Sequence, residues 1–89
     1  MRKTEFKTIV DAGRVLNKKY LVVKIDTEGM PEPEIIINPA DNFDEKIAYY
    51  NKAYNDDMEL ISAKEAGKSI RIVRATMMDY LDGLNAWFY

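Results

Sequence analysis

The chain contains neither cysteine nor histidine. Without cysteine it can form no disulfide framework and no thiolate zinc site, which is typical of proteins in a reducing cytoplasm. Without histidine it has no imidazole metal ligand and no Ser-His or Cys-His nucleophile pair. Any chemistry would therefore depend on carboxylates, lysines and tyrosines, and we predict a protein that is not an enzyme.

Glycine and proline are also scarce, with four and three residues respectively. The glycines are isolated from one another, so no glycine-rich phosphate loop is present and no cofactor or small-molecule substrate is predicted. No apolar run is long enough for a signal peptide or a membrane span. We therefore expect a soluble, cytoplasmic protein without a membrane partner.

Two groups of acidic residues bear on whether the protein is a metal-dependent enzyme. Asp44-Glu-Lys46 matches half of a nuclease signature, but acidic residues in the first turn of a helix are what the helix dipole favours. Asp56, Asp57 and Glu59 lack the spacing and the central glycine of a calcium loop. No metal site is therefore predicted.

The composition is that of one globular domain over residues 1–89, with 47% hydrophobic and 31% charged residues. Its clearest pattern lies in residues 41–55. There, large apolar side chains recur at helical spacing and form one stripe, namely Phe43, Ile47, Tyr50 and Tyr54. The pattern predicts a helix packed across a sheet.

Runs rich in β-branched residues predict the strands of that sheet. The predicted strands are residues 4–10, 20–25, 34–38, 58–61 and 69–75. The second and third of them form an antiparallel hairpin around a loop with two prolines. In the last of these strands, the alternation of apolar side chains changes from one face to the other between Ile72 and Val73. This change indicates a bulge or a strand covered on both faces. The predicted fold is α+β, with a four- to five-stranded, mainly antiparallel sheet, the helix 41–55 across one face and a C-terminal helix over 77–88.

Several short motifs resemble small uncharacterised proteins encoded by phages and prophages of Gram-positive bacteria. They are Tyr20-Leu-Val-Val-Lys, Ile37-Asn-Pro, Asn42-Phe43 with Lys46, Tyr49-Tyr50-Asn-Lys-Ala-Tyr-Asn-Asp with Leu60, and Ile70-Arg-Ile. The resemblance covers about residues 20–73. It implies a phage or prophage setting in the host cytoplasm and no particular activity.

The leading functional prediction is an accessory protein that acts through protein–protein contacts. Helix 41–55 can cover only one side of the sheet, so the amphipathic C-terminal segment is expected to meet its own sheet, a twin or a partner. The predicted interaction residues are Met78, Leu81, Leu84, Trp87, Phe88 and Tyr89. A homo-oligomer is expected from this contact.

The alternative prediction is a small nucleic-acid-binding module. Basic residues would form a strip if the second and fifth predicted strands were neighbours, namely Lys18, Lys19, Lys24, Arg71 and Arg74. The net charge of −2 and the isoelectric point near 5.1 favour protein contacts over nucleic acid.

Overall fold

The structure is a computed structural model and describes residues 1–87. The elements are α1 (Lys3–Val15), β1 (Tyr20–Thr27), β2 (Glu34–Pro39), a 3-10 turn (Ala40–Asn42), α2 (Phe43–Ala53), α3 (Ile61–Glu65), β3 (Ile70–Met78) and a 3-10 helix (Asp82–Trp87). The three strands form an antiparallel sheet in the order β2-β1-β3, and helices α1 and α2 pack against it. The α+β class and the antiparallel hairpin are confirmed, but the sheet has three strands, not four or five.

The helix predicted over residues 41–55 is observed as α2. Phe43, Tyr50 and Tyr54 are buried in the core, and Ile47 is half-buried against it. Burying a large apolar side chain stabilises the fold by about 1.5–3 kcal/mol. The aromatic stripe therefore accounts for much of the contact between α2 and the rest of the core.

Residues 4–10 were predicted as a strand, which is wrong, because they lie within α1. A short run with apolar residues at positions 6 and 10 fits a period of two and also a helical spacing of four. The helix buries Phe6, Val10 and Gly13, which follow one another by four and three residues. Thr8, which the strand would place beside Phe6, is exposed.

The strand predicted over residues 58–61 is also absent. Only two isolated bridges form here, between Tyr54 and Leu60 and between Glu59 and Arg71, and α3 begins at Ile61. Met58 has φ of 57°, in the left-handed region, which interrupts any extended run.

The chain between α2 and α3 is held in a turn by the side chain of Asn55. Its Oδ1 accepts hydrogen bonds from the backbone N–H of Asp57 at 3.0 Å and of Glu59 at 2.9 Å. A local side-chain bond of this kind offers the backbone an alternative to a sheet ladder.

β3 contains a bulge at the position that the sequence indicates. Lys24 pairs with Arg74 while Ile25 pairs with Ile72, so Val73 has no partner on β1. The extra residue changes the face of the sheet on which the following side chains lie. As a result both Ile72 and Ala75 reach the core.

The C-terminal helix predicted over 77–88 is wrong over most of its length. Met77 and Met78 are the last residues of β3, opposite Leu21 and Tyr20, and only Asp82–Trp87 is helical, as 3-10 helix. Pairing with β1 extends the strand because each added residue gains ladder contacts that an isolated short helix lacks. No helix within residues 1–87 has the length and apolar character needed to cross a bilayer.

Gly13 is the point of closest approach between α1 and β3. A Cβ at this position would lie 2.5 Å from Cβ of Met77 and closer still to its Cγ. We expect Gly13→Ala to destabilise the domain by about 1–3 kcal/mol through overpacking, although alanine favours a helix by about 1 kcal/mol over glycine. Urea denaturation measures this loss.

Two further variants test the cause of that loss. The Met77→Ala change should make Gly13→Ala less harmful in the double variant than in the wild-type background, because it removes Cγ and Cε of Met77 and leaves only the contact with Cβ. Gly83→Ala, at a glycine with open space around it, should leave stability nearly unchanged. Equal effects at both glycines would contradict the close contact.

Candidate functional site

α2 has three sides with different surroundings. Its aromatic stripe faces the sheet. Its second side faces α1, where Arg14 lies 2.5 Å from Asp44 and Lys3 Nζ donates to the backbone oxygen of Asn51 at 2.7 Å. Its third side carries Tyr49 and Ala53. This third side lies against α3.

A groove of about 360 Å³ lies between the third side of α2 and the short helix α3. It is lined by Tyr49, Lys52, Ala53, Ile61, Ser62 and Glu65, and we call it the α2–α3 groove. Tyr49 is 50% exposed and Ile61 is 38% exposed, so two large apolar side chains meet water here. Apolar groups of this kind can bury a side chain of another molecule.

Tyr49 connects the groove to the core through aromatic contacts. Its ring centroid lies 5.4 Å from that of Tyr50 and 6.3 Å from that of Tyr54. Burial raises the pKa of Tyr54 to about 12, with smaller contributions from Tyr49, Tyr50 and Glu34. Burial also raises the pKa of Tyr50, although the hydrogen bond from Asn38 opposes the shift. Both buried hydroxyls therefore stay protonated at neutral pH and cannot act as bases there.

The outer edge of β2 is a second feature of the molecular surface. β2 pairs with β1 along its inner edge, and within residues 1–87 no other segment pairs with its outer edge. The outer edge of β3 differs, because Leu60 N–H donates to the Ile70 oxygen at 2.7 Å and Ile72 N–H donates to the Met58 oxygen at 2.9 Å. A bulge follows on β3, and bulges disturb pairing with a further strand.

The C-terminal residues predicted to contact a partner are described in part. Met78, Leu81 and Leu84 are half-buried within the single chain. The side chain of Trp87, together with Phe88 and Tyr89, lies outside the described residues. Val22, on the sheet face opposite α1 and α2, is fully buried. The centre of that face is thus already covered within one chain, and an oligomeric contact through the C-terminal segment stays a prediction.

The predicted basic strip is brought together only at its centre. Lys24 lies opposite Arg74 on neighbouring strands. Lys18 instead forms an ion pair with Asp79 at 3.2 Å.

The remaining basic residues lie at the two ends of the sheet. Arg71 lies opposite Asp26 and pairs with Glu59 in an isolated bridge. Lys19 Nζ lies 6.0 Å from the ring centroid of Tyr80. Acidic residues therefore interrupt the positive charge along the strip.

Asp57 and Glu59, two of the acidic residues considered from the sequence, form ion pairs. Asp57 lies 2.7 Å from Arg2, and Glu59 lies 3.0 Å from Lys64, whose ammonium is the main cause of the lowered pKa of Glu59. Within residues 1–87, no three acidic side chains lie close enough together to hold a metal ion.

Sequence reasoning did not find the α2–α3 groove. Tyr49 and Ala53 are four residues apart, so they form a second, shorter apolar stripe on α2 that could have been read from the sequence. Ile61 could not have been added to it, because its neighbourhood was predicted as a strand. Comparison with known proteins found no matching family model, no similar curated protein and no similar solved structure.

Proposed function

We propose that the protein is a non-enzymatic accessory protein that acts through protein–protein contacts, with the α2–α3 groove as its contact site. The observation that carries this proposal is the exposure of Tyr49 and Ile61 in one groove. Tyrosine and large apolar residues are enriched at the centres of protein interfaces. The resemblance to small phage and prophage proteins supports an accessory role in a bacterial host cytoplasm.

The lining of the groove favours a protein segment as its occupant. Lys52 and Glu65 bring one charge of each sign beside an apolar floor. The complementary ligand is a short segment with a large apolar anchor, flanked by an acidic residue that meets Lys52 and a basic residue that meets Glu65. Ser62, the aliphatic hydroxyl in the groove, has no histidine to activate it, because the chain contains none. The groove is therefore suited to binding.

The test compares two lysine substitutions at exposed aliphatic residues. Ile61→Lys places a charge in the groove, whereas Val15→Lys changes a residue that is 80% exposed at the end of α1 and outside the groove. Immobilised variants would be incubated with an extract of a Gram-positive host. We expect a protein that wild type and Val15→Lys retain and that Ile61→Lys loses.

That protein would then be purified and titrated against each variant. We expect Ile61→Lys to raise its Kd at least about tenfold, which corresponds to about 1.4 kcal/mol. Equal affinity for all three proteins would exclude the groove as the contact site. Retention of DNA or RNA that is released between ~50 and ~200 mM salt would instead favour the nucleic-acid alternative.

A further inference from the structure

The open edge of β2 is bounded by prolines at both ends. Pro33 precedes the strand and Pro39 is its last residue, so residues 34–38 carry all the backbone N–H groups of the strand. An open strand edge is a template for pairing with another strand. The segment between the prolines is Glu-Ile-Ile-Ile-Asn.

This segment is complementary to itself in an antiparallel pair. With Ile36 on a two-fold axis, Ile35 lies opposite Ile37 of the other copy and Glu34 lies opposite Asn38. Pro33 then lies opposite Pro39, so neither proline removes a hydrogen bond from the ladder between them. A shift of the register by two residues would place a proline opposite a residue of that ladder and shorten it.

We propose that the protein forms a homodimer in which two β2 strands pair antiparallel about Ile36, giving one continuous sheet to which each copy contributes its three strands. A two-fold contact of this kind uses the same surface on both copies. Apolar residues meet apolar residues, and a carboxylate meets an amide, so no like charges oppose one another. The inference goes beyond the proposed function, because the dimer contact uses a surface other than the α2–α3 groove.

The faces of the strand agree with this arrangement. Ile36 packs against the core on the face that carries the helices. Ile35 and Ile37 alternate with it onto the opposite face, where Ile37 is 40% exposed. In the dimer, Ile37 of each copy would be covered by Ile35 of the other. Exposed apolar surface at the edge would thus be removed from water.

Cysteine substitutions test the register directly, because the natural chain has no cysteine. Ile35→Cys and Ile37→Cys would be made as separate proteins, mixed, equilibrated and oxidised. The proposed register places position 35 of one protein opposite position 37 of the other, so we expect the mixture to give a disulfide-linked dimer on a non-reducing gel. Each variant alone has an isoleucine opposite its cysteine and should give only the background crosslinking of Val15→Cys.

The purified wild-type protein would also be measured by light scattering at ~100 μM. We expect a dimer, and a dimer weakened by Ile37→Lys. A wild-type monomer would overturn the inference, as would a dimer whose mixed cysteine variants crosslink no more than Val15→Cys. The second result would favour a contact elsewhere, such as the C-terminal segment. Neither result bears on the groove, whose test uses a different partner and Ile61→Lys.

Discussion

Tyr50→Asp is expected to unfold the domain. Tyr50 is 3% exposed, its hydroxyl accepts a hydrogen bond from Asn38 Nδ2 at 3.1 Å, and its ring meets Phe6 edge-on at 5.7 Å. The substitution removes these contacts and buries a carboxylate without a cationic partner. The penalty is several kcal/mol, which is comparable with the roughly 5 kcal/mol total stability of a small domain. Circular dichroism during heating would show the loss of a cooperative transition.

Tyr49→Asp is the matched control for this prediction. Tyr49 is the neighbouring residue but is 50% exposed, so its carboxylate would remain in water. The Tyr49→Asp variant loses only the two aromatic contacts of the native ring, each of which contributes about 0.5–1.5 kcal/mol to stability. We expect a folded variant with a moderately lower Tm. Similar melting of both variants would show that α2 does not face the sheet through Tyr50.

Phe6→Ala is expected to cost about 3–5 kcal/mol of unfolding free energy, the usual range for truncating a buried phenylalanine. Phe6 is a fully buried residue of α1, and its ring contacts Tyr50 of α2 in the core. Its removal would leave a cavity where α1 joins the rest of the core. Urea denaturation would measure the loss as a lower midpoint.

A variant at Thr8 distinguishes the helix from the strand that the sequence predicts. In α1, Thr8 is exposed and its hydroxyl donates to the Thr4 oxygen at 3.0 Å. Thr8→Lys should therefore change stability by no more than about 0.5 kcal/mol, as most surface substitutions do. In a strand, the lysine would lie on the buried side with Phe6 and would destabilise the domain strongly. That outcome would contradict α1.

Local patterns predicted the parts of the fold in which one regular period persists. The aromatic stripe of α2 extends over three turns, and Leu21, Val23 and Ile25 of β1 follow a period of two and are all buried on the side of the helices. The bulge was readable because an extra residue disturbs a period of two at one definite place, beside Val73. These features depend on neighbours within one element, which the sequence contains.

Short apolar runs were assigned incorrectly wherever two periods fit the same residues. Residues 4–10 fit a strand and a helix, and the helix is the form that packs against β3, where Gly13 lets α1 approach Met77. Residues 58–61 also fit a strand by their pattern, but Met58 has the left-handed conformation, which interrupts an extended run. The first outcome depends on packing against a distant strand, whereas the second depends on the side chain of Asn55, which holds the turn locally.

The sequence by itself determined the α+β class, the hairpin, the organising helix and the absence of histidine and cysteine chemistry. The tertiary structure alone decided the number of strands, the α2–α3 groove and the open edge of β2. The groove requires Tyr49 and Ile61 to meet across two helices, and the open edge requires that no other described segment pairs with β2. Such juxtapositions follow from non-local packing, because periodicity shows which face of an element is apolar but not what lies against it.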